Sequence, residues 1–241
     1  MKNLIKKIFN FVGLEVHRLQ PSSDSISQII KAMNMVKTDI ILDLGANIGQ
    51  FAQEIRRKGY SGKIISFEPL TDARKILLEN ASKDSKWFVH SRVAIGDKKG
   101  NIKINKSKNS VSSSILPMLK SHSDAANNSV YVGSENVPII TLDSIFNNYV
   151  KKNSNCFIKI DAQGYEWQIL NGAKKSLQKA KGIICELSLV KLYKGQFLYK
   201  DIILRLEKEG FVLWSLIKGF TDESSGQTMQ LDGVFLKKNY I

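Results

Sequence analysis

Short apolar runs alternate along the chain with segments whose apolar residues recur at helical spacing. The apolar runs predict buried strands, and they cover residues 39–44, 63–67, 87–95, 102–104, 157–160 and 182–187, then FVLWSLI and DGVFLKK near the C-terminus. The helical spacing predicts helices over residues 25–35, 48–58, 71–80 and 201–209 and over the segments TLDSIFNNYV and GYEWQILNGAKKSLQKA. Strands that alternate with helices predict an α/β fold with a doubly wound, mostly parallel sheet. No helix separates the last two strands, which predicts an antiparallel hairpin at the edge of the sheet.

Residues 105–136 interrupt this alternation with a polar stretch rich in Ser, Asn and Lys. A loop of this length inside a compact domain is usually functional or disordered. Two interpretations stay open: a mobile insertion, or a lid over a substrate pocket.

The N-terminal stretch, residues 1–19, is basic and amphipathic, and charge interrupts it too often for the apolar core of a signal peptide. It predicts a short helix that rests on a membrane surface or packs its apolar face on the domain, the commoner use of such helices. We therefore divide the chain into an N-terminal segment and helix, residues 1–36, and a domain over residues 37–241. A membrane contact would place the protein at the inner face of the membrane.

Composition adds a strong positive charge to an otherwise ordinary globular chain. The 241 residues are 43% hydrophobic and carry a net charge of +14, which favours an anionic partner. The lysines are dispersed, however, and no RNA-binding pattern of aromatic and arginine residues is present. Both cysteines, Cys156 and Cys185, lie in apolar runs, so we expect small core residues in a reducing cytoplasm.

Acidic residues stand at the ends of four predicted strands: Asp43, Glu68, Asp161 and Glu186. In a doubly wound sheet, ligands bind outside the carboxyl ends of the strands. Four carboxylates at this edge are a stronger indication of a ligand site than a glycine-rich turn alone.

The segment ILDLGANIGQF contains a glycine-rich turn between a strand and a helix. Its glycines, Gly45 and Gly49, allow close approach of the backbone to a ligand, but their spacing is not the G-x-G-x-x-G that binds a pyrophosphate. This spacing disfavours a nicotinamide-dependent dehydrogenase. Asp43 would repel phosphates and attract an ammonium group, and Glu68 lies 23 residues after Gly45, near the ~20 expected for an acid on a ribose diol. A ribose, a cationic amino-acid tail and no phosphate together indicate S-adenosylmethionine.

Six ordered motifs between residues 40 and 211 resemble the FkbM family of S-adenosylmethionine-dependent methyltransferases: DLGANIGQF, SFEP, VAIGDKKGN, VPIITLDSI, IKIDAQGYEWQILNGA and ICELSLVKLY. The resemblance implies a seven-stranded, Rossmann-like sheet. It also implies O-methylation, often of sugars or the hydroxyls of secondary metabolites.

Matching these motifs to the chemistry of the cofactor assigns roles to eight residues. Asp43 would take the methionine amino group, directly or through water, and Glu68 both ribose hydroxyls. The adenine edge would lie near Ala94 and Asp97, although Asp97 is equally compatible with a plain turn. The remaining four belong to the glycine-rich turn at the methionine tail: Gly45, Ala46, Asn47 and Gly49.

A sugar hydroxyl is a weak nucleophile at neutral pH, so a general base would assist methyl transfer. Asp161, at the end of the central strand, is the leading candidate. Glu166 would orient Asp161, bind acceptor hydroxyls, or stabilise the N-terminus of its own helix through the helix dipole. Alternatively, the two carboxylates hold a divalent cation, although the sequence offers no clear third ligand. We expect His122 to be an exposed loop residue, with a role as base as the alternative.

The sequence therefore predicts an S-adenosylmethionine-dependent O-methyltransferase that acts on a hydroxyl of a sugar, glycan, glycolipid or secondary metabolite. The positive charge favours an anionic acceptor, with a solvated basic surface that has no specific partner as the alternative. The alternative is an RNA-binding ribose methyltransferase. Methylation of a base amino group is disfavoured, because DAQGY stands where an Asn/Asp-Pro-Pro-Tyr/Phe motif would be expected.

Overall fold

The computed structural model describes residues 2–14 and 24–241, without the side chains of residues 2–5 and 8. The first helix, α1, spans Lys2–Phe11. Of its described apolar side chains, Phe11 is 92% exposed and Phe9 is 39% exposed. The rest of the predicted membrane contact, residue 1 and residues 15–19, lies outside the described residues. No helix in the described ranges has the length and hydropathy to cross a bilayer.

Seven strands form the main sheet, in the order β3-β2-β1-β7-β8-β10-β9. Their bounds are β1 Ile40–Leu44, β2 Lys63–Phe67, β3 Trp87–Val89, β7 Cys156–Ile160, β8 Gly182–Ser188, β9 Phe211–Lys218 and β10 Gln230–Lys237. The first five strands of this order are parallel, and β10 is antiparallel to both β8 and β9. The predicted Rossmann-like sheet of seven strands with an antiparallel edge is confirmed, with β10 inserted between β8 and β9.

Helices cover both faces of this sheet, which explains why its central strands are apolar throughout. Every residue of β1 and of β7 is buried, as expected for strands enclosed on both faces. Along β1, Leu42 belongs to one hydrophobic cluster and Ile41 to the cluster on the opposite face. The helices are α2 Ser25–Met35, α3 Gln50–Arg57, α4 Thr71–Ala81, α5 Lys120–Ala125, α6 Leu142–Tyr149, α7 Glu166–Asn171, α8 Lys174–Lys179 and α9 Tyr199–Lys208, followed by a 3-10 turn over Lys238–Tyr240.

A second sheet of three strands, in the order β4-β6-β5, lies beside the first. Its strands are β4 Ala94–Gly96, β5 Gly100–Ser107 and β6 Tyr131–Thr141. The prediction of one strand over residues 87–95 was therefore wrong, because β3 and β4 belong to different sheets. The Arg74 guanidinium donates to the His90 carbonyl at 2.9 and 3.2 Å and holds the turn between them.

Regular structure occupies part of the predicted loop over residues 105–136, so the segment is not one continuous loop. Its ends belong to β5 and β6, which pair from Gly100 opposite Ile139 to Ser107 opposite Tyr131, and its middle contains α5. The ladder satisfies backbone groups while many of its side chains are exposed and polar. The amino-acid composition of this segment therefore resembles that of a loop.

The predicted single helix in GYEWQILNGAKKSLQKA is two helices, α7 and α8, separated near Gly172. A Cβ atom at Gly172 would overlap the carbonyl oxygen of Gly96, so this close approach to β4 requires glycine. The carboxylate of Asp143 then accepts the N–H groups of Lys175 and Ser176 at 3.0 and 2.8 Å. This cap compensates the N–H groups that the start of a new helix leaves unpaired.

Candidate functional site

Two adjoining cavities lie at the carboxyl ends of the parallel strands. The first cavity has a volume of about 460 Å³ and the second cavity about 220 Å³. Four residues line both: Val111, Asp161, Gln163 and Asp232. A ligand in one cavity and a ligand in the other would therefore meet beside Asp161.

The turn after β1 forms one wall of the first cavity, which Gly45, Ala46 and Asn47 line. Gly45, Asn47 and Gly49 all have positive φ angles, of 79°, 47° and 90°. A Cβ atom at Gly45 would overlap the carbonyl oxygen of Asp161, and one at Gly49 would lie 2.6 Å from the Trp87 ring. Both glycines thus permit close packing within the protein, and Gly49 itself does not line the cavity.

Glu68, at the end of β2, lines the first cavity and is 5% exposed. Its two carboxylate oxygens accept the backbone N–H groups of Asn47 and Leu70, each at 2.8 Å. Burial raises the pKa of Glu68 to about 7. Each oxygen keeps a second lone pair, so the carboxyl group can still bind hydroxyl groups in the cavity.

Asp43 is fully buried and lines neither cavity. Its carboxylate lies 3.5 Å from the Lys159 ammonium and accepts the Ser66 hydroxyl at 3.3 Å. Burial raises the pKa of Asp43, while the charge of Lys159 opposes that shift. Lys159 does line the first cavity, so Asp43 lies behind this lysine and away from the space that a ligand would occupy.

Ala94 lines the first cavity together with its apolar neighbours Val93 and Ile95. Asp97 is exposed and lines neither cavity. The structure thus places Ala94 where a flat ring would find apolar contacts and leaves Asp97 in a surface turn, the simpler of its two interpretations.

Asp161 follows β7 and is held from two sides. One carboxylate oxygen accepts from the Lys159 ammonium at 3.2 Å, and the other accepts from the Gln163 amide at 3.1 Å. The side chain is 35% exposed. Asp161 is therefore fixed in orientation and still accessible from both cavities.

Glu166, at the start of α7, is 3% exposed and lines neither cavity. Its carboxylate accepts the N–H groups of Ala162 and Gly164 at 3.0 and 3.1 Å. Burial raises its pKa to about 7. Glu166 shapes the loop that carries Asp161, and its position does not bring it into contact with a ligand in either cavity.

His122 is not the exposed loop residue that the sequence predicted. It lies in α5, is 2% exposed and lines the second cavity. Its Nε2 is 3.1 Å from the Ser112 hydroxyl, and its ring stacks on Phe220 with the centroids 5.4 Å apart. Burial lowers the pKa of His122 to about 4, so the imidazole is neutral at physiological pH.

Sequence reasoning missed three residues of the site: Lys159, Gln163 and Asp232. A signal for Lys159 was present, because a lysine inside the apolar strand CFIKI must be paired with an acid when it is buried. Gln163 adopts a φ of 51°, which no local pattern predicted. Asp232 pairs opposite Glu186, a neighbour that becomes apparent only once β10 is known to lie beside β8.

Within the part of the chain that the structure describes, no three His, Cys, Asp or Glu side chains are arranged to hold a metal ion. One carboxylate oxygen of Glu166 accepts the backbone N–H groups of Ala162 and Gly164.

Comparisons with known proteins place this site in context. The model of the methyltransferase FkbM domain matches residues 43–213. A search of curated proteins found no significant match.

Solved structures with a similar fold share little sequence with the chain. The fibrillarin pre-rRNA processing protein of Methanococcus jannaschii is 14% identical, with a TM-score of 0.50, over 91% of this chain and 76% of that one. The magnesium protoporphyrin IX methyltransferase of Synechocystis, with bound S-adenosylmethionine, is 8% identical, with a TM-score of 0.46, over 98% and 97%. An rRNA methylase of Streptococcus thermophilus is 10% identical, with a TM-score of 0.44, over 92% and 99%.

Proposed function

Because the chain belongs to the FkbM methyltransferase family, we propose that it transfers a methyl group from S-adenosylmethionine to a hydroxyl of a sugar, glycan, glycolipid or secondary metabolite. One observation carries this proposal: Asp161, a fixed and accessible carboxylate, lines both cavities. The first cavity would hold the methyl donor and the second the methyl acceptor. The reacting atoms would then meet beside a group able to take the hydroxyl proton.

The residues of the first cavity fit this cofactor. Its volume, about 460 Å³, lies within the ~300–1,000 Å³ range of small-molecule sites. Glu68 offers carboxylate oxygens to the ribose hydroxyls, Ala94 and its neighbours offer an apolar surface to the adenine, and Ala46 and Asn47 also line the cavity. When bound, the cofactor supplies a methyl group on a sulfonium, a leaving group that needs no further activation.

The chain's own residues would then position the acceptor and move one proton. Asp161 accepts the hydroxyl proton as the new oxygen–carbon bond forms, which is general base catalysis. Lys159 and Gln163 hold its two oxygens in place, and this fixed geometry contributes through orientation. Residues 110–115 line the cavities from the side of β5, and we propose that this segment is the lid that keeps water from the reaction.

Calorimetric titration tests cofactor binding. Wild-type protein should bind S-adenosylmethionine in the micromolar range and should not bind NAD, and Glu68→Ala should lose most of the affinity because it removes the ribose contacts. Binding of NAD instead, or of neither compound, would contradict the assignment of the first cavity.

Asp161→Asn tests the general base. The amide keeps the size of the side chain and can still accept from Gln163, but it cannot take a proton. We expect turnover to fall by about 10²–10⁴, with the affinity for S-adenosylmethionine unchanged. Glu207→Gln, which likewise changes a carboxylate into an amide at an exposed site, is the control. Undiminished turnover in Asp161→Asn would contradict the role of Asp161 as general base.

RNA ribose methylation is the second candidate, favoured by the net charge of +14. A protein that binds RNA through phosphate contacts should retain it at low salt and release it as the salt concentration rises. Failure to retain RNA at low salt would remove this candidate.

A further inference from the structure

The second cavity differs sharply in charge from the protein as a whole. Three carboxylates line it, from Asp161, Glu186 and Asp232, and no lysine or arginine among the described residues does so. The chain nevertheless carries a net charge of +14. Its basic surface and this cavity therefore attract opposite kinds of group.

The carboxylates lie on, or directly after, three neighbouring strands, β7, β8 and β10. Asp232 in β10 stands directly opposite Glu186 in β8. Burial raises the pKa of Glu186 well above its usual value, and the nearby charges of Asp161, Glu166 and Asp232 raise it further, while Lys159 opposes them. Burial, and then the charge of Asp161, raise the pKa of Asp232 to about 6. Added negative charge at this point would be repelled.

Two buried polar atoms in the wall have no hydrogen-bond partner among the described residues. One oxygen of Glu186 accepts from Gln163 at 2.8 Å, whereas its other oxygen is buried and unpaired. His122, which is 2% exposed, likewise has an unpaired Nδ1. Buried polar groups are almost always paired, and a ligand with suitably placed donors would supply these missing hydrogen bonds.

We propose that the second cavity binds the methyl acceptor through Glu186 and Asp232 and selects a group rich in hydrogen-bond donors, a neutral polyol or an ammonium-bearing sugar, over an anionic one. This rests on the function proposed above. The cavity, at about 220 Å³, is below the range of drug-sized sites and takes a single ring of the acceptor. The ring hydroxyls donate to the carboxylates, and His122 contributes a neutral ring nitrogen. The anionic acceptor that the net charge suggested is thereby disfavoured at this site.

Three glycosides that differ in one group test this selection: methyl glucoside, methyl glucosaminide and methyl glucuronide, titrated into wild-type protein by NMR at pH 7.5. Like charges placed together penalise a wrong partner, so the glucoside or the glucosaminide should bind at least about tenfold more tightly than the glucuronide. If the glucosaminide binds best and its advantage falls with salt, the ligand group is an ammonium. Equal affinity for the glucoside and the glucosaminide identifies a neutral polyol as the ligand group.

Glu186→Gln and Asp232→Asn each replace a carboxyl group by an amide of the same shape, and both should lower the discrimination against the glucuronide. Glu207→Gln, an exposed change on α9, is the matched control and should leave it unaltered. Preference for the glucuronide, no binding of any probe, or unaltered discrimination in both cavity variants would overturn the proposal. Titration of S-adenosylmethionine into the same samples separates this failure from failure of the proposed methyltransferase function.

Discussion

Replacing Gly45 by alanine tests whether the glycine-rich turn after β1 and the end of β7 form one rigid unit. Gly45 has a φ of 79°, and its missing Cβ would overlap the carbonyl oxygen of Asp161. The left-handed backbone costs alanine about 1–2 kcal/mol. Relieving the overlap requires a backbone shift, which adds about 1–3 kcal/mol as overpacking does. We therefore expect Gly45→Ala to lose about 2–5 kcal/mol of unfolding free energy.

Gly59→Ala provides a matched control. Gly59 has a φ of 92°, but a Cβ there would find no atom within 4 Å. It should therefore show only the backbone cost of about 1–2 kcal/mol. Urea denaturation of both variants measures the difference, which isolates the overlap between the turn and Asp161.

The same pair of variants should differ in cofactor affinity. A shift of the turn at residue 45 moves Ala46 and Asn47 and disturbs the hydrogen bond from the Asn47 N–H to Glu68. Calorimetry should show weaker binding of S-adenosylmethionine to Gly45→Ala and unchanged binding to Gly59→Ala. Equal denaturation midpoints together with equal affinities would refute the inference that these two segments are tightly packed.

Two further predictions concern buried ionisable side chains. The folded-state pKa of His122, about 4, lies below the ~6.5 of an unfolded histidine. The contribution of neutral His122 to the free energy of unfolding is therefore fully present above pH 6.5 and is lost as the pH falls from 6.5 to 4. Compared with His122→Phe, wild type should lose about 2 kcal/mol more stability between pH 7.5 and 5, measured by urea denaturation; parallel pH profiles would contradict this. Lys159→Met leaves Asp43 buried without its counter-charge and should cost about 3–5 kcal/mol. Adding Asp43→Asn should recover part of that lost stability. If the stability losses of the two single variants simply add in the double variant, the ion pair between Lys159 and Asp43 is excluded.

The sequence predicted the main sheet well because its strands are enclosed on both faces. Continuous apolar runs such as IILDL in β1 and CFIKI in β7 can hardly be anything but buried strands in an alternating pattern. The strand-end acids Glu68 and Asp161 followed from the same pattern, since parallel strands bring their carboxyl ends to one edge. Both line the first cavity.

The second sheet and the second cavity were harder to predict because their determinants are not local. The polar residues of β5 and β6 have no clear alternation, and only the pairing of the two strands gives them regular structure. His122 is buried because Tyr193 and Phe220, far away in the chain, pack against its ring. Asp232 joins the site because β10 is inserted beside β8.

The insertion of β10 between β8 and β9 also orders the assembly of the two cavities in time. The walls of the first cavity come largely from residues before 115, whereas Phe220 and Leu231 of the second cavity are made only after most of the chain. Pairing β10 with β8 closes a loop of more than 40 residues between Glu186 and Asp232, and such non-local contacts form slowly. A nascent chain that emerges N-terminus first would thus build most of the first cavity before the second, and the selectivity proposed for the second cavity would be among the last properties that it acquires.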